Sequence, residues 1–521
     1  MATISLDVGL LKQIRTVDPL MASYNIEMTE VTGGTFWKRY TPGQIAGTEP
    51  FVLHGIADLQ NSMEPYPPKD LRNARLLALA KAIGPAWVRV SGSWASNTYY
   101  DFDGTTGGKA PEGFSSVLTR DQWESVLDFV KAIDGRLLVS VANSAGVHNT
   151  PDGSWDPAQA KLLFDFSRDY GVPIAAAEFM NEPNILTPDN SPLASGYGMI
   201  EYARDQDAFF RFLRENYPDV LCVGPCASEI GGPHVPHSTV NAQTNAAAGN
   251  ALASLDAFSS DDLMPHLRER ADVFSYHWYN GISERGASVL GNHWDASEAM
   301  GKDYLSVAEA ACRRYLPMRD EYMPGAPMWI TETADAGLGG DTWASTYLDV
   351  FRTACELGVF GELTDGVIFH NTLASSDYGW LDFGDFLPRP NYWFVLLWNR
   401  LMGTTVYGVD EGVLGAGGVS GDGDATLGDF VHVYARSRKD GRDGVAWLIV
   451  NSSTTESIDV HGVSGGWVYQ LTADDPHARE IRLNGRPLAL GPDDELPDLV
   501  PDTVSDDTVT LPPASITFLV R

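Results

Sequence analysis

The sequence predicts an α/β fold, a (β/α)8 TIM barrel with an appended C-terminal antiparallel β-sandwich, and three observations carry that prediction. Eight short apolar runs recur between Ser23 and Asn371. Amphipathic stretches of helix length separate them, with apolar residues returning every three or four positions, the mark of a helix with one buried face. Beyond Thr404 the helical patterns stop, and only short strand-like runs divided by Gly, Asp and Asn turns remain. Strands buried on both faces and alternating with helices call for a parallel sheet, and eight of them close into a barrel.

In chain order, ISLDVGLL alternates like a strand before the first barrel run, so residues 1–17 are assigned to the sandwich and that domain is expected to be discontinuous. The barrel is expected over 18–403. Its strands are SYNIEMTEV (from Ser23), AWVRVSG (from Ala86), RLLVSVAN (from Arg136), PIAAAEFMNEPN (from Pro173), VLCVGPC (from Val220), DVFSYHWY (from Asp272), MWITET (from Met328) and GVIFHN (from Gly366). Helices are expected in DLRNARLLALAKAIG, RDQWESVLDFVKAIDG and DAFFRFLRENYPD, and the last barrel helix in RPNYWFVLLWNRLMG. The sandwich, 404–521, is read from FVHVYARS, GVAWLIVNSS, WVYQLTAD, REIRLNG and ASITFLVR. Two loops are read as turns. GDGDATLGD, around Asp422, is a solvated hairpin rather than a calcium loop. GVSGG, from Gly462, matches the G-x-S-x-G pattern of a serine hydrolase but has no helix after it.

Composition bounds the partners. The 521 residues, 44% hydrophobic, can bury a large core. Sixty-nine acidic against 36 basic residues give a net charge of −33, and no basic run stands out, so nucleic acid and anionic membranes are excluded as partners by long-range repulsion. Four scattered cysteines do not make a disulfide framework, and Cys222 and Cys226 read as core thiols. The first residues lack a basic segment followed by a long apolar one, and no apolar run reaches membrane-spanning length. The expectation is a soluble protein, cytoplasmic or secreted with its signal peptide removed; no oligomeric state can be read from the chain.

In such barrels the site lies at the C-terminal ends of the strands. Glu182, in the Asn-Glu-Pro that closes the fourth strand, and Glu332, in MWITET of the seventh, are two carboxylates aimed into one cleft. A glycosidic bond needs that pair, an acid on the leaving oxygen and a carboxylate on the other side of the anomeric carbon. An Asn-Glu-Pro tripeptide arises by chance in roughly one chain of this length in twenty, so the weight comes from its coincidence with WITET and with SYHWYNG at the sixth strand. Asn181 is expected to hydrogen-bond a sugar hydroxyl, and His277 to orient Glu332. No metal or organic cofactor is implied.

Asn-Glu at the fourth strand with Glu at the seventh resembles the clan A glycoside hydrolases. AEFMNEPN, SYHWYNG, WITETADAGLGG, DYGWLDFGDFLPRPNYW and the ending LPPASITFLVR resemble family 79, the heparanases and β-glucuronidases, over nearly the whole chain. The resemblance implies a retaining mechanism with Glu182 as acid/base and Glu332 as nucleophile. It also implies a uronate carboxylate held by backbone amides of a glycine pair, here Gly339 and Gly340, and by Tyr378, with Tyr279 as a further substrate contact. A second tyrosine common in that family is replaced by Gly337, and Leu338 interrupts the glycine run. The expected function is an exo-β-D-glucuronidase acting on small or unsulfated glycosides. A β-glucosidase, an endo-acting heparanase-like hydrolase and a non-catalytic carbohydrate-binding protein stand as alternatives.

Overall fold

The computed structural model describes residues 2–51, 53, 55–185, 196–228, 258–409 and 429–521. Eight strands close into a barrel: β1 (Ala22–Glu27), β2 (Trp87–Ser91), β3 (Arg136–Ser140), β4 (Ile174–Glu178), β5 (Leu221–Ser228), β6 (Val273–Ile282), β7 (Met328–Gly337) and β8 (Ile368–His370). Every neighbouring pair is parallel, β8 closing on β1 through His370 beside Tyr24. All ten residues of β7 are buried, Glu332 and Asp335 among them, so the strand is covered on both faces rather than alternating between core and solvent.

The helices form where local chemistry starts them and an apolar face gives them something to bury. Helix Arg120–Ala132 opens on a capping box in which Thr119 and Gln122 satisfy one another's backbone, and it buries Trp123, Val126, Leu127, Phe129 and Val130. Helix Pro390–Leu401 starts with proline at its first position, where no backbone N–H is needed. Helix Tyr347–Leu363 is buried nearly throughout because the barrel covers one side and the sandwich the other. Gly358 permits that approach: a Cβ there would lie 2.4 Å from the Tyr434 ring. Among the described residues no helix is long and apolar enough to cross a membrane.

In the sandwich, Met402–Gly408, Val431–Arg438, Val445–Asn451, Ser515–Val520 and Trp467–Thr472 run antiparallel in that spatial order, and Lys12–Thr16 adds antiparallel to the outside of Met402–Gly408. A three-stranded sheet covers them. Every described pairing within 404–521 is antiparallel, and the N-terminal strand Ala2–Ser5 joins parallel to Ile458–His461. Strand Val445–Asn451 is buried on both faces: Trp447 and Ile449 face the sandwich interior, whereas Leu448 and Val450 join the barrel's core. The GVSGG segment is a turn with left-handed Gly462 and Gly465 and an exposed Ser464. The loop around Asp422 lies outside the described residues. All four cysteines are buried free thiols.

Candidate active site

Strand β4 ends at Glu178, four residues before Glu182. The chain then turns, with the Glu182 N–H on the Cys226 carbonyl at 3.2 Å and the Glu182 backbone at φ 44°. A left-handed glutamate is a strained backbone of the kind that surrounding structure must hold, and here it aims the carboxylate over the barrel mouth. Glu332 sits within β7, in register with His277 on β6. Glu182, His277 and Glu332 each bring a polar atom within 4.8 Å of the others.

His277 corrects one expectation. Its Nδ1 bonds Glu182 Oε1 at 3.1 Å and stands 3.6 Å from Glu332 Oε2, so it orients the fourth-strand glutamate, not Glu332. Arg89 decides the tautomer. Its Nη2 lies 3.2 Å from His277 Nε2 and has only hydrogens to offer, so Nε2 accepts and Nδ1–H donates to Glu182.

Arg89 comes from β2 with no solvent exposure. It donates to Glu332 Oε2 at 3.0 Å, to Glu178 Oε1 at 2.6 Å and to Asn181 Oδ1 at 2.7 Å. Burial alone would raise the Glu178 carboxyl; the adjacent guanidinium overrides burial and holds it down at about 2. Asn181 is thus tied to the arginine through its oxygen, which leaves its amide nitrogen for a ligand.

On the other side of Glu332, the Tyr279 hydroxyl donates to Oε1 at 2.6 Å. Asn371, just past β8, directs Nδ2 to the hydroxyls of Tyr279 at 3.0 Å and Tyr378 at 3.1 Å. The two tyrosine rings stack at 6.4 Å. Glu27, at the end of β1, is a third carboxyl in the cavity; burial and the charge of Glu332 push it well above the ordinary carboxylate range. It fits because position 92 is glycine, where a Cβ would stand 1.6 Å from Glu27 Oε2.

The cavity is lined by Glu27, Glu182, Glu332, Tyr279, Tyr378 and the Gly337–Leu338 segment. Gly337 opens it, since nothing closer than 3.7 Å would meet a Cβ there. Gly339 and Gly340 are not among its lining residues, and the Gly340 N–H is given to the Ala336 carbonyl at 3.2 Å. The Gly340 carbonyl accepts from Tyr40 and Arg285. The structure therefore brings Glu182, Glu332, His277, Asn181, Tyr279 and Tyr378 together and leaves the Gly340 amide committed elsewhere. A second group of possible ligand atoms, Glu284, His293 and Asp341, lies beside that loop. There His293 Nδ1 bonds the Ile282 carbonyl and Glu284 accepts from Thr342 and Tyr40.

Sequence reasoning missed Arg89, Glu178, Glu27 and Asn371. The signal for the first three was a charge inside an apolar run: VRVSG, AAAEF and YNIEM. A charge so placed is either paired or functional.

No protein-family model matches the chain. In sequence it is 25% identical over 419 residues to heparanase-like protein 1 of Arabidopsis thaliana, covering 78% of this chain and 68% of that protein. It is 24% identical over 485 residues to the hyaluronoglucuronidase of Hirudo nipponia, covering 87% and 90%. With the baicalin-β-D-glucuronidase of Scutellaria baicalensis it shares 24% over 442 residues, covering 78% and 72%. In structure it is similar to a 4-O-α-L-rhamnosyl-β-D-glucuronidase from Fusarium oxysporum, with a TM-score of 0.60, 13% identity and coverage of 100% of this chain and 99% of that one. It is also similar to a family 51 arabinofuranosidase from Xanthomonas axonopodis pv. citri, with a TM-score of 0.59, 15% identity and full coverage of both chains. The chain is a glycoside hydrolase. In the hydrolase, Arg89 ties the strand-two, strand-four and strand-seven sides of the site together.

Proposed function

We propose that the hydrolase is a retaining exo-β-D-glucuronidase that removes terminal glucuronate from small or unsulfated glycosides. The observation that supports the retaining mechanism is that an oxygen of Glu182 and an oxygen of Glu332 lie within 4.8 Å of one another, with His277 Nδ1 3.1 Å from Glu182 Oε1 and 3.6 Å from Glu332 Oε2. Retaining sites hold their carboxyls about 5–5.5 Å apart, whereas inverting ones need roughly 6.5–9.5 Å to admit water between them. Glu332, steadied by Arg89 and Tyr279, attacks the anomeric carbon as the bond to the leaving oxygen breaks. Glu182 gives that oxygen its proton. A water then enters, Glu182 takes its proton, and the water oxygen displaces Glu332 to release the sugar with its β-configuration kept.

The uronate reading is supported by the sequence relatives, two of which are named as glucuronidases, and by Tyr378 as a neutral donor at the cavity wall. Exo action on small or unsulfated glycosides fits the charge: at −33, the chain repels a sulfated polymer. β-Glucosidase activity is the second reading. It is favoured by Gly337, which takes away one donor, and by the Gly340 amide, which is already bonded.

Early-time NMR of an aryl β-D-glucuronide digest should show the β-anomer first, and α-anomer first would contradict retention. Glu332→Ala should lose turnover and regain it with azide as an α-glycosyl azide. Glu182→Ala should still react with substrates whose leaving groups need no proton and then stall at deglycosylation. Comparing kcat/KM on matched aryl glucuronide and aryl glucoside decides the substrate.

A further inference from the structure

Three groups around the nucleophile can be assigned hydrogen by hydrogen. A carboxylate only accepts, so the single hydrogen of Tyr279, 2.6 Å from Glu332 Oε1, goes to Glu332. The Tyr279 oxygen then has lone pairs alone left, and the Asn371 atom 3.0 Å away must be the donor, the amide nitrogen. The same nitrogen lies 3.4 Å from Glu332 Oε1, another acceptor. Turning the amide over would set its oxygen against two atoms with no hydrogen to give. Asn371 Oδ1 is itself buried without a partner, whereas the groups around its nitrogen, the two tyrosine oxygens and the carboxylates of Glu332 and Glu27, are all acceptors that fix the amide as a donor.

The second N–H of Asn371 reaches the Tyr378 hydroxyl at 3.1 Å. That oxygen is an acceptor toward Asn371, which leaves its hydrogen for the cavity it lines. The backbone that carries Tyr378 is held on both sides. His370 Nε2 holds the Tyr378 carbonyl at 2.7 Å, and Arg389 Nη1 holds the carbonyls of Asp377 and Gly379 on either side at 2.8 and 3.1 Å.

We propose that Asn371 is a positioning residue that sets the polarity of the tyrosine pair, making Tyr378 a dedicated hydrogen-bond donor and thereby selecting an anionic substituent on the sugar. The proposal rests on the glucuronidase reading and adds the residue that enforces it. A uronate carboxylate entering a cavity that already holds Glu27, Glu182 and Glu332 is repelled unless a fixed donor meets it. A hydroxymethyl group gains less from that donor, because a bond to a charged acceptor is about twice as strong as one between neutral groups.

The test is a double-mutant cycle on the ratio of kcat/KM for aryl glucuronide over aryl glucoside. Asn371→Leu removes the donor without adding a charge to the cavity, so the Tyr378 hydrogen is no longer held toward the sugar. The ratio should fall by roughly tenfold to a hundredfold, the worth of one hydrogen bond to a charged group. Turnover of both substrates will also drop through Tyr279 and Glu332, and the ratio cancels that common loss. In a Tyr378→Phe background the same change should move the ratio by less than about twofold. If Asn371→Leu does not fold, as judged by its circular dichroism melt, Asn371→Ala serves: it too removes the donor and must lower the ratio only when Tyr378 is present. An unchanged ratio in a folded variant, or an equal fall without the tyrosine hydroxyl, would overturn the proposal. A native preference for glucoside with the cycle still coupled would sink the glucuronidase reading and leave the control of Tyr378 by Asn371 standing.

Discussion

Arg89 spends its donors on Glu178, Glu332, Asn181 and His277 without touching solvent. Such a group adds little net stability compared with an apolar replacement of the whole cluster, yet removing it alone leaves Glu178 and Glu332 as unpaired buried charges. Arg89→Met should therefore cost about 3–5 kcal/mol in urea unfolding, and adding Glu178→Gln should recover part of that loss. No recovery would mean that packing, not charge, holds the arginine. The two glutamates of the cleft were legible in the sequence because each stands where an apolar run meets a polar one. Arg89 was not recognised, although its run carried the signal, because its partners lie 89, 92, 188 and 243 positions away in the chain. His277 shows the same limit: neighbouring strands suggest Glu332, but the ring's direction, set by Arg89, sends its hydrogen to Glu182.

Strand β8 is only three residues long, and its last residue, His370, anchors the loop that carries Tyr378. His370 is buried against the Trp380 ring at 5.0 Å and donates to the Tyr378 carbonyl. Burial first, then the charge of Arg352, pushes this imidazole down to about 3. The folded state thus keeps it neutral while the unfolded chain takes a proton below about 6.5. Its contribution to stability is complete above that pH and is lost as pH falls toward 3, at up to about 1.4 kcal/mol per pH unit. Glu178, held at about 2, adds a separate loss below about 4.5. His370→Gln, which keeps an N–H donor without the titration, should flatten urea stability between pH 6.5 and 4.5 and leave the steeper fall below. An unchanged slope in the upper window would remove His370 as its source. The element boundaries explain why strands were easy to read and loops were not. Burial on both faces writes a strand as a mainly apolar run in which a charge stands out, but a glycine pair such as Gly339–Gly340 does not say whether its amides face the ligand or the chain.

Barrel and sandwich share a continuous core. Phe394 of the last barrel helix stacks on Phe518 of the sandwich at 5.5 Å, the Tyr347 hydroxyl bonds the Leu471 carbonyl at 2.6 Å, and Leu448 and Val450 belong to the same buried cluster as the barrel helices. The N-terminal strands are stitched into the sandwich before the chain enters β1, so the sandwich cannot form fully from the C-terminal segment alone. In the sequence this appeared only as an alternating ISLDVGLL, and its parallel pairing with Ile458–His461 was invisible because a period of two carries no direction. A shared core predicts coupled unfolding. Phe518→Ala removes a fully buried ring far from the cleft and should cost about 3–5 kcal/mol. If the two units unfold together, the loss of barrel helix signal, of hydrogen-exchange protection in strand Val445–Asn451 and of glycosidase activity should shift down in temperature by the same amount. Barrel signal and activity that stay at the native midpoint while protection in Val445–Asn451 shifts would show instead that the sandwich melts by itself and that Phe394 and Tyr347 do not couple the two.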